Sequence, residues 1–134
     1  MHPLSTYKDL IVWQNAMALA AQVYAATRTD GPAQPDPLLL QLRHCAASVA
    51  SSIAEGAGRG RRTEFIQLLQ AARSTLLELE THVFIASTQQ LISESDHVLA
   101  SISELDRNLT ALLNRLADTV RRAHARACAP ESLR

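Results

Sequence analysis

The feature that most constrains this chain is a run of apolar residues spaced for one face of a helix. Phe65, Leu69, Ala72, Leu76, Leu79, Val83 and Ala86 follow one another at alternating steps of four and three. Val98, Ile102, Leu105, Leu109, Leu112, Leu116 and Val120 repeat the pattern further on. That period is close to the 3.5 of helices packed side by side and incompatible with the period of two in a strand. Two shorter series precede them: Leu10, Trp13, Met17, Ala20 and Tyr24, then Leu38, Leu42, Cys45, Val49 and Ile53.

Breaks separate the four series. Gly31, Pro32, Pro35 and Pro37 interrupt the first and second, and Asp36-Pro37 reads as an N-cap followed by proline in the first turn. Gly56, Gly58 and Gly60 are expected to stop the second helix. Thr63 is placed to cap the third, with Glu64 favoured by its dipole, and Ser93 with Asp96 to cap the fourth. The helices are predicted at about 7–27, 37–55, 63–91 and 95–126, in one domain spanning 1–134 with a frayed tail over 127–134. Four amphipathic helices on short links predict an all-α, up-down-up-down antiparallel four-helix bundle, left-handed.

Composition supports this and excludes alternatives. Ala and Leu dominate, and aromatics are only 4%. No apolar run approaches the ~20 residues of a membrane span. Residues 1–8 lack the order of a secretory signal, so a cytoplasmic protein is expected. Cys45 on an apolar stripe and Cys128 in a polar tail read as free thiols, one buried and one exposed. Apolar residues beside the stripes (Ile11, Val12, Leu77, Ile85, Leu113) predict a second buried surface, hence self-association.

No catalytic site is predicted. His44 adjoins Cys45, but neighbours on a helix point ~100° apart and do not make a base–nucleophile pair. Glu94 with His97 and Glu78 with His82 have metal-like spacing, yet the first and fourth helices offer no matching ligands. Neither metal nor cofactor is expected, nor a small-molecule substrate. Gln41, Arg43, Ser48 and Glu55 on the second helix and Ser74, Glu78 and Glu80 on the third read instead as a structural polar network. Arg43 and Arg73 are its candidate counter-ions.

The 13 basic and 13 acidic residues balance, which argues against a basic coat over the whole surface. Their distribution is uneven. Up-down topology gathers Arg59, Arg61, Arg62, Arg121, Arg122 and Arg126, with Lys8, at one end. Asp30, Asp36, Glu94 and Asp96 gather at the other. The arginines are the candidate contacts for an RNA or DNA phosphate backbone. The alternative is a protein–protein interaction scaffold with no nucleic-acid role.

Several segments together resemble a known family. They are Tyr7-Lys8-Asp9-Leu10-Ile11-Val12-Trp13-Gln14, Gln41-Leu42-Arg43 with Ser48, Ser52-Ile53-Ala54-Glu55-Gly56-Ala57-Gly58-Arg59, Glu64-Phe65 and Ser74-Thr75-Leu76-Leu77-Glu78-Leu79-Glu80-Thr81. They resemble the bacterial four helix bundle proteins encoded in intervening sequences of 23S rRNA genes. That resemblance implies the same bundle, no established enzymatic activity, and a ring-shaped homo-oligomer, with a pentamer expected. A related branch, the accessory variability determinant proteins of diversity-generating retroelements, is basic and binds nucleic acid and a reverse transcriptase. This chain departs from that branch in its zero net charge, and it has Ser52 where the family usually shows Asn.

Overall fold

The computed structural model describes residues 7–128. A 3-10 turn, Tyr7–Asp9, leads into α1 (Ile11–Ala26); α2 spans Pro37–Gly58, α3 Arg62–Thr88 and α4 Ser95–Cys128. No strand occurs among the described residues. Each helix packs on the next, and α1 also packs on α4, closing a square of four antiparallel helices. The predicted tail over 129–134 lies outside the described residues, whereas Ala127 and Cys128 continue α4.

Three of the four apolar series form the core largely as their spacing predicts. Leu42, Cys45, Val49 and Ile53 of α2 are buried, and so are Leu69, Ala72, Leu76, Leu79, Val83 and Ala86 of α3. On α4, Val98, Ile102, Leu105 and Leu109 are buried, but Leu112, Leu116 and Val120 are only half-buried. Helix length explains the change. α1 has 16 residues and α4 has 34, about 24 Å against 51 Å. The C-terminal part of α4 therefore runs past α1.

On α1 the buried face differs from the expected one. Val12, Ala16, Leu19 and Val23 face the core, while Met17 and Tyr24 are exposed and Trp13 and Ala20 half-buried. The whole series is displaced by about one residue. α1 is apolar around most of its circumference, so spacing alone did not choose the side. Val12, expected on the outer surface, is part of the core.

The helix ends follow local chemistry. The Asp36 carboxylate accepts the Leu38 backbone N–H at 2.8 Å, the predicted cap. α3 starts at Arg62 rather than being capped by Thr63. Gly60 takes φ +77, reversing the chain, and leaves Arg61 extended as an N-cap whose side chain makes no cap bond. α3 ends at Thr88, three residues before the expected end. Gln90 there has φ 57, and the Leu91 and Gln90 N–H groups bond back to the Ala86 and Ser87 carbonyls. That pair of bonds is a Schellman closure, with glutamine where glycine is usual.

Gly56 does not stop α2; it lies inside the helix, buried against α3. A Cβ there would sit 2.9 Å from Phe65 Cδ1 and 3.0 Å from Leu68 Cβ. Phe65 can rotate away, but Leu68 Cβ moves only with its helix. Overpacking of about 1–3 kcal/mol should exceed the helix-propensity gain of about 1 kcal/mol. Gly56→Ala is therefore expected to lower stability by about 1 kcal/mol, the excess of the first figure over the second. Gly58 meets nothing within 4 Å. Gly58→Ala should raise stability by up to about 1 kcal/mol. Urea unfolding of the two variants beside the parent measures both signs.

Candidate nucleic-acid interface

The α2–α3 turn, the start of α1 and the end of α4 share one end of the bundle, as the antiparallel order requires. Arg59, Arg61, Arg62, Arg121, Arg122 and Arg126 are all exposed there. Two of them are already engaged within their own helical segments. Arg59 donates to Glu55 at 2.6 Å, and this bond and charge hold its guanidinium pKa above the ordinary value. Arg121 is paired with Asp118 one turn earlier on α4. Arg61, Arg62, Arg122 and Arg126 form no ion pair with any of the described residues. A shallow concavity at the turn is lined by Gly56, Ala57, Gly60, Arg61, Arg62 and Phe65.

Antiparallel register brings the two arginine groups near each other. Arg73 of α3 pairs with Asp106 of α4 at 2.8 Å, and Ile66 and Ala117 line the same groove nearer the end. Continuing that register sets the first turn of α3 beside the Arg121 region. The seven residues after Arg121 then overhang α3 by roughly 10 Å. The result is a basic end with a projecting helix.

The polar residues assigned to a network are distributed differently. Arg43 does not meet a carboxylate. Its Nε donates to Thr27 Oγ1 at 2.7 Å and an Nη to the Thr27 carbonyl at 3.2 Å, with its Cζ 4.8 Å from the Tyr24 ring centre. Thr27, the buried polar residue of the core, donates its own hydroxyl to the Val23 carbonyl at 2.7 Å. This cluster ties the end of α1 to α2. Arg73 pairs with Asp106, and Glu55 turns to Arg59. Ser48 is half-buried on α2, and Ser74 and Glu78 are exposed on α3, with Glu80 half-buried. No hydrogen bond joins these groups across the helices among the described residues.

The polar contact that does cross from α2 to α3 joins Cys45 and His82. Cys45 Sγ lies 3.9 Å from His82 Nδ1, and Gln41 Nε2 donates to the same sulfur at 3.8 Å. Burial first, and the Glu78 carboxylate second, push the Cys45 thiol pKa up, against the lowering effect of the Gln41 bond. Sequence spacing could not reveal this pair, because it depends on the register between two helices. His44, the neighbour that spacing does show, is exposed.

Two grooves flank the bundle on opposite sides. One, of about 380 Å³, lies between α1 and α2 and includes Tyr7, Trp13, Met17, Tyr24 and Ala54. The Tyr7 and Trp13 rings meet edge to face at 5.2 Å. The other lies between α3 and α4 and includes Ile66, Gln70, Leu77, Leu113 and Asn114. Leu77 and Ile85 are exposed, as their place beside the seam predicts; Phe84 and Leu40 add to the apolar surface.

A family model for 23S rRNA-intervening sequence proteins matches residues 8–114, most of the chain, through α1, α2 and α3 and into α4. The chain belongs to that family. A solved crystal structure shows the same fold. This is a protein of unknown function from the S23 ribosomal protein family of Bacteroides thetaiotaomicron, at 1.70 Å resolution. It superposes with a TM-score of 0.68 at 14% identity, covering 78% of this chain and 96% of the other. At that identity the likeness concerns fold alone. No curated protein matches. The family match ends before Arg121, so the overhanging end of α4 lies beyond the shared region. No helix among the described residues is long and apolar enough to cross a membrane.

Proposed function

We propose that this chain is a non-enzymatic, cytoplasmic, oligomeric bundle that holds RNA, or DNA of similar charge, against its arginine-rich end. The carrying observation is the exposure of six arginines at one end of a chain whose net charge is zero. Charge concentrated this way attracts a phosphate backbone locally without a basic coat. Arginine also suits phosphate through its planar fork of donors. The family's 23S rRNA name makes RNA the first nucleic acid to try. Phosphate contacts of this kind give affinity without sequence choice.

Self-association is the second half of the proposal. The α1–α2 groove is aromatic and the α3–α4 groove is aliphatic and amide-lined, and they lie on opposite edges of the square. Two different faces on opposite sides favour a head-to-tail contact over a two-fold dimer, and such a contact makes a ring when the rotation between subunits closes. A pentamer is the ring size proposed. A ring would gather one arginine cluster per subunit on the same rim. Leu77→Glu, which puts a charge in one groove, should shift the mass seen by light scattering toward the monomer while leaving the helical circular dichroism unchanged. An unaltered mass would remove that groove from the interface.

The test of function is fluorescence anisotropy of a structured RNA at about 50 and 200 mM salt, a span over which several phosphate contacts lose affinity steeply. Binding that weakens with salt supports the proposal. Absence of binding at the lower salt leaves the second reading, a scaffold acting through its exposed apolar residues Leu77, Phe84 and Ile85.

A further inference from the structure

On the α2–α3 face, Cys45, Glu78 and His82 form a group of three ligand-type side chains, the one such group among the described residues. Their sulfur, carboxylate and ring nitrogen atoms all lie within 4.8 Å of one another. Glu78 and His82 are one turn apart on α3, so both point from the same side of that helix. Cys45 approaches them from α2.

We propose that Cys45, Glu78 and His82 bind one divalent cation of the zinc class, with solvent completing the coordination. Zinc holds sulfur at about 2.3 Å and imidazole nitrogen at about 2.0–2.1 Å. At a tetrahedral angle those lengths separate sulfur from nitrogen by about 3.6 Å. The observed separation is 3.9 Å, so little movement is needed. Glu78 is exposed and free to swing inward, while Cys45 is fixed in the core. One thiolate and one carboxylate balance a divalent charge, and the imidazole adds a neutral ligand. Thiolate and imidazole together select zinc, cobalt or copper over magnesium or calcium. On binding, the thiol proton passes to solvent and sulfur donates to the metal.

The same atoms serve poorly as a nucleophilic triad. Cys45 has no exposed surface, and burial first, with the Glu78 carboxylate second, disfavours its thiolate. A cation between them reverses that effect, because it attracts both sulfur and carboxylate. The cation would bridge α2 and α3 toward the end away from their connecting turn, where no hydrogen bond now joins Glu78 to α2 among the described residues. This inference is independent of nucleic-acid binding.

The purified 134-residue chain should be titrated with Co(II) and followed by absorption. Expected is one equivalent per chain, with tetrahedral d–d bands and a thiolate-to-cobalt charge-transfer band. Cys45→Ser should abolish the charge-transfer band, and His82→Ala should weaken binding by at least about tenfold, the effect that losing even an outer partner has. Cys128→Ser should change neither, although Cys128 lies 3.7 Å from His124 on the exposed end of α4. Should Cys45→Ser misfold, Glu78→Gln, at an exposed position, should also lower cobalt affinity. The proposal is overturned if the parent chain gives no charge-transfer band. It is equally overturned if the band disappears with Cys128→Ser but survives His82→Ala and Glu78→Gln.

Discussion

Leu76→Ala should lower the unfolding free energy by about 2–5 kcal/mol, the range for deleting a fully buried leucine side chain. Leu76 has no exposed surface and sits midway along α3, the helix flanked by α2 and α4. Three methylene-sized groups would be lost from contact with both neighbours. Helices held by seams on two sides cannot easily collapse into the space, so a cavity term adds to the transfer term. Against a typical total of about 5–15 kcal/mol, that is a third or more of the stability. Leu116→Ala removes the same atoms from the same kind of heptad position, but on the half-buried stretch of α4 beyond α1. Its cost in the isolated chain should be well under half as large. Guanidinium unfolding at low protein concentration, with slopes compared as well as midpoints, measures both. Equal costs would mean that Leu116 is covered in solution by something besides its own chain. A midpoint that rises with protein concentration would identify that cover as another subunit.

How far the sequence was readable follows from which interactions are local. On α3 and α4 the buried positions are Leu, Val, Ile and Ala at heptad steps flanked by charged or amide residues, so one face stands out. α1 reads Ile-Val-Trp-Gln-Asn-Ala-Met-Ala-Leu-Ala-Ala, with apolar residues on most sides. There the largest side chains drew the stripe to Trp13, Met17 and Tyr24. The tightly packed contact with α2 and α4 instead takes Val12, Ala16, Leu19 and Val23. Glycine was misread for a related reason. Gly56 stands beside Gly58 and Gly60 and looks like part of a helix stop, yet the approach of Phe65 and Leu68 is what requires it to lack a side chain. Arg43 reaches Thr27, and Cys45 reaches His82, only through the register of one helix against another. Spacing along a single helix carries no information about that register. The basic end was readable because topology alone places helix termini together.

Removing Arg61 and Arg62 together should reduce the salt dependence of RNA binding more than any change elsewhere on the surface. Neither forms an ion pair with the described residues, and both line the concavity at the α2–α3 turn. Each phosphate contact contributes about 0.7–0.9 to the slope of log affinity against log salt, so Arg61→Ala/Arg62→Ala should lower it by about 1.5 per chain engaged. If several subunits of a ring hold one RNA, the loss multiplies, and affinity at low salt falls by orders of magnitude. Arg59 behaves differently because Glu55 already neutralises it at 2.6 Å. Deleting that pair as Glu55→Ala/Arg59→Ala leaves the net charge unchanged, and a solvent-screened pair of this kind adds little to stability. Both affinity and slope should therefore stay near those of the parent. An anisotropy series over salt separates the cases. A slope unchanged in the Arg61/Arg62 variant would exclude the turn as the phosphate site. A slope lowered as much by the neutral Glu55/Arg59 deletion would mean that RNA displaces Glu55 and recruits Arg59. The same series on Arg122→Ala/Arg126→Ala then reports whether the overhanging end of α4 lies along the same backbone, since only a contact with phosphate, and not a solvated helix end, changes the slope.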